Sequence, residues 1–482
     1  MKQSIKQFAL IVISLLVTSG LFAQVTTSSM SGRITEPDGA AIAGATVVAV
    51  HVPSGSKYYS VADNAGNYRI QNMRVGGPYE VEVVFLGFGT VKRGGISLRL
   101  GETFVYDAQL KEEALSLSEV VISAGLVNPI LNSNRTGASM NISSREMTSL
   151  PSISRSLTDF TRMTPQSNGS SFAGRDGRFN TVTIDGAAFN NNFGLSSSAM
   201  PGGSSQPISL DAIEQVSVNL APYDVRLSQF TGASINAVTK SGDNKLKVTA
   251  YTYLRPKTFT GEKVGESIVS NARLRSSSTY GITVGGPIIK DKLFLFASYE
   301  YEKETSPSNA WEPSTNGVAD LTNRISRTTV ADLQTAKNHL LSAYNYDPGE
   351  FQNFSSFPSE NYKILARLDW NIARNHKFAF RYNRLRNTST SLTNATSGPP
   401  SVPRSNNSRV GEYAISFSNS FYGNENAIDA FAGELNSTFG NRFSNKFLVS
   451  YTKTMDPRRT SNSDIFPFVD IYKDGDPYMS FG

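Results

Sequence analysis

The sequence predicts an all-β-dominated protein: a small β-sandwich near the N-terminus, then long strands of the kind that cross a membrane in a barrel. Three observations predict it. An export leader opens the chain, short turn-bounded strands fill residues 29–110, and beyond residue 244 apolar and polar side chains alternate over lengths that a soluble sandwich seldom reaches.

The leader comes first. Lys2 and Lys6 precede an apolar run at residues 8–17, and Ala23 offers a small residue before Gln24, so residues 1–23 read as a signal peptide cleaved after Ala23. A spanning helix needs roughly 20 apolar residues, and Thr18, Ser19 and Gly20 close the run sooner. None of the 482 residues is Cys, which excludes a lipid-acceptor thiol, a disulfide framework and a thiolate metal site. Mean hydropathy is −0.26, which fits either an exported soluble protein or a barrel whose strands show lipid at every other residue. The net charge of +6 is small, and no basic cluster is interleaved with aromatics, so no nucleic-acid partner is expected.

Residues 24–110 carry alternating segments at 46–52, 67–71, 79–86 and 104–110, separated by Gly, Pro, Asp and Asn. That spacing predicts a β-sandwich. The stretch Gly32-Arg33-Ile34-Thr35, then Asp38-Gly39, residues 42–47 and Asp63-Asn64-Ala65-Gly66-Asn67-Tyr68 resembles the carboxypeptidase regulatory-like domain, an immunoglobulin-like sandwich. Its glycines suit turns that need positive φ, and Tyr68 is expected as a core anchor.

Residues 111–134 read as a linker with one strand-forming run, Leu117, Ser118, Glu119, Val120, Val121 and Ile122. Residues 135–243 shift toward Ser, Asn and Gly, with a helix expected at 154–163 before Pro165 and hairpin-like segments at 181–186 and 215–218.

From 244 to 482 the period is two. Tyr362, Ile364, Ala366, Leu368, Trp370 and Ile372 alternate with Lys363, Leu365, Arg367, Asp369 and Asn371, and the phase resumes after residues 373–376 as Phe378, Phe380 and Tyr382. One greasy face and one wet face follow. Similar pairs lie at 280–301 and 429–451, with a further strand at 245–254, and short turns alternate with long polar stretches at 302–360 and 387–411. Short turns at one end and long loops at the other are the pattern of outer-membrane barrels. Tyr251, Tyr253, Tyr299, Tyr301, Trp370 and Tyr382 are expected in the interfacial aromatic girdles.

The middle segment carries a second resemblance. Residues 151–157, Phe172-Ala173-Gly174-Arg175, Asn180-Thr181-Val182-Thr183-Ile184-Asp185-Gly186 and residues 208–216 resemble the plug of TonB-dependent receptors. Residues 221–226, Phe230-Thr231-Gly232-Ala233 and residues 236–242 resemble the plug-to-barrel junction of the Oar-like branch found in Bacteroidota. The resemblance implies a mixed α+β plug at 135–243 filling a 22-stranded transmembrane barrel that begins at 244. It also implies residence in the outer membrane with the N-terminal domain in the periplasm, and substrate caught outside and released inward. Residues 117–122 resemble the TonB box, an extended segment that pairs with an edge strand of a TonB-type energy transducer through main-chain hydrogen bonds, with Val120 and Ile122 settling one face. Other partners implied are outer-membrane lipid, an unknown extracellular substrate and a surface lipoprotein. Asn190, Asn191, Asn192 and Phe193, in an outward plug loop, are the substrate-binding candidates; turn formation is the plainer role of such a run.

No enzyme is expected, and no cofactor. His51, His339 and His376 lack the spacing of a zinc pair, Gly285-Gly286-Pro287 is a turn with no Gly-Lys-Ser/Thr ending, and no nucleophile finds a base. Residues 244–482 hold about seven or eight strands against about 22 in plugged transporters, and residues 474–482 read as turns rather than a closing strand, so the chain is expected to be a fragment or truncated product. The alternatives to an importer are a surface adhesion protein without active transport and a non-functional remnant.

Overall fold

The computed structural model describes residues 25–112, 138–150, 152, 155–190, 206–220, 230–259, 263–265, 267–268, 276–307, 311–354, 356–393, 409–440, 443–460 and 466–482. Val47, Ala49, Val81 and Val83 alternate with solvent-facing neighbours, so their strands turn one face inward. Thr46–His51 lies between Ser56–Val61 and Gly76–Val84, with Val91–Leu98 beyond, and this sheet faces a second built on Ser28–Thr35, Asn67–Met73 and Thr103–Val105. The two sheets close on Met30, Ile34, Tyr79 and Leu98, an immunoglobulin-like arrangement. Tyr68 is the expected anchor: its ring is buried and its hydroxyl donates to the Tyr106 carbonyl at 2.7 Å. Gly32 permits that crossing, since a Cβ there would lie 1.9 Å from the same carbonyl oxygen.

A five-stranded sheet follows, made of β1 (Ala138–Ser143), β2 (Thr181–Ile184), β3 (Ala187–Ala188), β4 (Ile213–Leu220) and β5 (Ser234–Thr239), in the order β3-β2-β5-β4-β1. The helix expected at 154–163 is shorter, Leu157–Thr161, because Ser156 and Asp159 form a capping box that starts it late. Tight turns then run from Phe160 to Thr164 ahead of Pro165.

The long strands are β6 (Lys247–Arg255), β7 (Ser276–Ile289), β8 (Leu293–Pro307), β9 (Ser356–Ala373), β10 (His376–Ser391), β11 (Tyr422–Phe439) and β12 (Phe443–Met455). They pair antiparallel in chain order, with Arg458–Thr460 joining β11 beyond β12, and among the described residues form a wall with two open edges. The alternation read at residues 362–372 is the observed one. Lys363 and Arg367 are 6% and 5% exposed on the face toward the five-stranded sheet, while Ile364 and Trp370 are 38% and 45% exposed on the other. Phe380 and Phe431 continue that apolar outer face on the next strands. Charged side chains inside and aromatic ones outside invert the polarity of a water-soluble protein. Two aromatics depart from the expected girdle: Tyr251 and Tyr253 point inward, where Tyr251 is hydrogen-bonded and Tyr253 lies under the Arg155 guanidinium at 3.8 Å. Tyrosine suits a membrane interface and a polar interior equally, so its type could not fix its side.

The long connections are not featureless. Helix Val330–Tyr344 and strands Ile325–Thr329, Ile415–Ser416, Val469–Lys473 and Asp476–Phe481 share a separate core of Leu333, Leu340, Phe351, Phe417, Tyr478 and Phe481. Residues 474–482, read as turn-rich, supply one of these strands, in the lobe and not in the wall. Asp474 and Gly475 adopt φ of 58° and 87° and make the tight turn that sends Asp476–Phe481 back along Val469–Lys473.

This lobe predicts an acid response. Burial works against ionisation of Asp470, but bonds from Arg409 at 2.6 and 2.8 Å and from Ser480 at 2.7 Å hold its carboxyl below the ordinary 3.8. A depressed pKa stabilises the fold above the unfolded value and loses that contribution as pH falls through the folded one. With Trp370→Phe in place, the fluorescence of Trp311, which packs on the lobe core, should shift red below about pH 4, and Asp470→Asn should flatten that dependence. An emission maximum constant down to about pH 2.5 would contradict the role given to Asp470.

The sandwich sits at the short-turn end of the wall. Asn244 N–H donates to Pro53 O at 2.9 Å, Asn371 Nδ2 to Ser56 Oγ at 2.9 Å and Asn72 Nδ2 to Ser444 Oγ at 2.8 Å.

Candidate functional site

The candidate site is the contact between the five-stranded sheet and the inner face of the wall. Its apolar part is continuous, since Phe160, Val182, Ile184 and Val218 share one cluster with Phe296, Leu365, Leu385 and Ile428 of the wall. Charged groups are set into this contact at three places.

The first is built on the turn between β2 and β3. Asp185 and Gly186 take φ of 49° and 83°, the double positive that a two-residue hairpin turn demands, which aims the Asp185 carboxylate at β5 and the wall. It accepts from Thr239 N–H at 3.0 Å and Thr239 Oγ1 at 2.5 Å, and stands 3.6 Å from both the Arg367 and Arg381 guanidinium groups. Arg367 donates to Thr239 O at 2.6 Å and forks onto Asp369, while Arg381 donates to Glu434 at 2.9 Å. Glu434 also accepts from Thr26, in the segment leading into the sandwich, at 2.8 Å. Two arginines of the wall thus hold a carboxylate of the inserted sheet.

In the second, Glu300 of β8 is 4% exposed and accepts from Lys363 of β9, Tyr251 of β6 and Ser209 of the inserted domain, all at 2.8 Å. The third joins Arg155 to Asp211 within the inserted domain, with Arg155 lying over Tyr253 of the wall. Buried ion pairs of this kind contribute little net stability but penalise any other seating of the charges, so they fix position.

The sandwich reaches the inserted sheet as well. Gln215 of β4 accepts from Leu100 N–H at 2.9 Å and donates to Leu98 O at 3.1 Å, and Asn236 of β5 donates to Val25 O. Sequence reasoning named none of Asp185, Glu300, Lys363, Arg367, Arg381 and Glu434 as site residues. For the five on the wall the one signal was charge on the wet phase of an alternating strand, and alternation alone cannot say that this phase faces a protein domain; Asp185 stood only as part of an Asp-Gly turn.

Of the residues it did name, 117–122 lie outside the described residues, as do Asn191, Asn192 and Phe193. Asn190 is half-buried, and its side-chain oxygen accepts from Val182 N–H at 2.6 Å, which ties the residues after β3 back to β2. The three His are engaged locally, His51 with Ser54, His376 with Ser437 and His339 against Tyr344. Burial, with Arg74 beside it, lowers His51 to about 3 and leaves its ring neutral. Among the described residues no three His, Asp or Glu side chains gather as metal ligands, and no helix is long and apolar enough to cross a membrane.

Residues 29–111 match the family described as carboxypeptidase regulatory-like domain, and residues 238–470 match the outer membrane beta barrel domain. The chain is similar to the TonB-dependent transporter Oar of Myxococcus xanthus, 28% identical over 304 residues that make up 59% of this chain and 27% of that protein. The chain therefore spans about a quarter of the length of that curated relative. Among solved structures, the outer membrane transporter YddB from Escherichia coli aligns at TM-score 0.45 and 13% identity, over 67% of this chain and 40% of that one. The siderophore receptor PirA from Acinetobacter baumannii aligns at 0.41 and 16%, over 66% and 40%.

Proposed function

We propose that this chain belongs to a TonB-dependent outer-membrane receptor that captures an extracellular substrate and imports it with energy from the inner membrane. In this reading the five-stranded domain is the plug, the wall is barrel, the lobe faces outward and the sandwich stands in the periplasm. The observation that carries it is the inverted polarity of the wall, greasy toward lipid and charged toward the domain it encloses. Plug and wall meet partly through ion pairs and hydrogen bonds that water can replace, so the plug can be shifted by a pull without every contact being greasy. Residues 117–122 would receive that pull from the energy transducer. The similarity to the Myxococcus xanthus transporter supports the same reading over the matched part, and an Oar-like origin within Bacteroidota rests on the junction motif at 221–242.

The test compares cells carrying the complete gene with a deletion strain by mass spectrometry of the spent medium. A solute removed only by the former, and no longer removed after a protonophore, is the expected result. Removal that persists after the proton gradient is collapsed would overturn the reading.

A further inference from the structure

We infer that the seam between the sandwich and the short-turn end of the wall is a release portal for anionic solutes, held shut where Lys377 meets Tyr58. The inference rests on the import reading and adds to it the charge class of what is imported.

Two cavities adjoin at this seam. The inner one, about 380 Å³, lies where the plug ends, with His51 and Arg74 of the sandwich, Lys240 after β5 and Arg367 of the wall in its lining. The outer one, about 290 Å³, opens between sandwich strands Ser56–Val61 and Asn67–Met73 and the wall turns at Arg374, Asn375 and Ser444. Tyr58, Asn72, Lys377 and Asn436 line both and so form the partition. Lys377 Nζ stands 4.0 Å from the centre of the Tyr58 ring and donates to Lys57 O at 3.0 Å, while Asn72 reaches Ser444 at 2.8 Å. These contacts are polar and few, so the partition can part without baring a greasy surface.

The charge of the lining decides what could pass. Arg69, Arg374 and Lys377 line the outer cavity, and no carboxylate does among its described lining residues. In the inner cavity, Asp243, Asp369 and Glu434 are already engaged by Lys247 at 2.5 Å, Arg367 at 2.8 Å and Arg381 at 2.9 Å, and the one further carboxylate among its described lining residues, Glu214, is outnumbered by Arg74, Lys240 and Lys377. A cleft with one unbalanced sign and low-dielectric walls concentrates ions of the opposite sign. A plug drawn toward the sandwich would deliver its cargo into the inner cavity, and cations stepping outward from Arg74 to Lys377 to Arg69 and Arg374 would draw an anion to the periplasm. A phospholipid headgroup of the inner leaflet carries the same chemistry, and the experiment separates the two.

The full chain in detergent micelles is titrated with tetraglutamate and with tetralysine, each carrying the same uncharged coumarin. Tetraglutamate should bind and tetralysine should not, and Arg69→Gln/Arg374→Gln/Lys377→Gln should weaken tetraglutamate about tenfold. Because the protein has no Cys, Asn72→Cys/Ser444→Cys can shut the seam by a disulfide without a competing thiol. The oxidised form should release prebound tetraglutamate more slowly than the reduced form. Equal binding of the two peptides, no binding to the unaltered chain, an unaffected triple variant, or release indifferent to oxidation would each overturn the portal. Complete displacement of tetraglutamate by phosphatidylglycerol micelles would assign the seam to lipid instead and overturn it as well. Binding is read without energy, so its failure leaves protonophore-sensitive uptake standing, and the loss of that uptake leaves the charge preference standing.

Discussion

Lys363→Met is expected to destabilise the inner face of the wall, where it meets the five-stranded domain, by about 3–5 kcal/mol, because it strands a buried carboxylate. Glu300 is 4% exposed, and Lys363 is the cation within ion-pair distance of it among the described residues. With Lys363 gone, Tyr251 and Ser209 still donate hydrogen bonds to Glu300, but no described cation remains within ion-pair distance, and Arg155, which feels its charge from farther off, is already paired with Asp211. Removing the charge from both sides should cost much less, so Lys363→Met/Glu300→Gln should recover more than half of the loss. The measurement is the urea midpoint of the protein in detergent micelles for the two single variants and the double. Additive losses would mean that the two side chains act independently and that the pair does not stabilise this face of the wall.

On the proposed import reading, Val120→Pro/Ile122→Pro is expected to reduce solute uptake to the level of protonophore-treated cells while leaving the protein at normal abundance in the outer membrane. A segment that docks by adding a strand is held by its backbone N–H and C=O groups, and proline removes the N–H at each position it occupies. Residues two apart in a strand present those groups to the same side, so the two prolines strike one edge twice. Val120→Ala/Ile122→Ala keeps every main-chain donor and should keep most of the uptake. Full activity in the proline variant would remove 117–122 as the point of traction.

The wall was legible because a membrane imposes its polarity on every second residue, as Ile364, Trp370 and Phe380 show. The sandwich was legible through turn chemistry and one aromatic, Tyr68, whose hydroxyl needed a partner inside. What escaped was contact between distant parts of the chain. Nothing around Thr328 announces that its hydroxyl will donate to Tyr478 O at 2.8 Å, 150 residues away. The lobe helix at Val330–Tyr344 buries Leu333 and Leu340 yet leaves Leu341 and Tyr344 exposed, so its apolar stripe is too thin to stand out within a stretch read as loop. The site charges escaped for a related reason: Arg367 and Arg381 look like any wet-face arginine until Asp185 is brought across by a fold that only tertiary packing defines.

The lobe has a consequence for how such a surface could diversify. Segments between different hairpins are stitched into a single nucleus by Phe417, Tyr478 and Phe481, so they behave as one tile rather than as independent fingers. Lengthening or swapping one of them would unseat its neighbours, and any change of shape in the lobe would have to come from coordinated replacement of the whole tile.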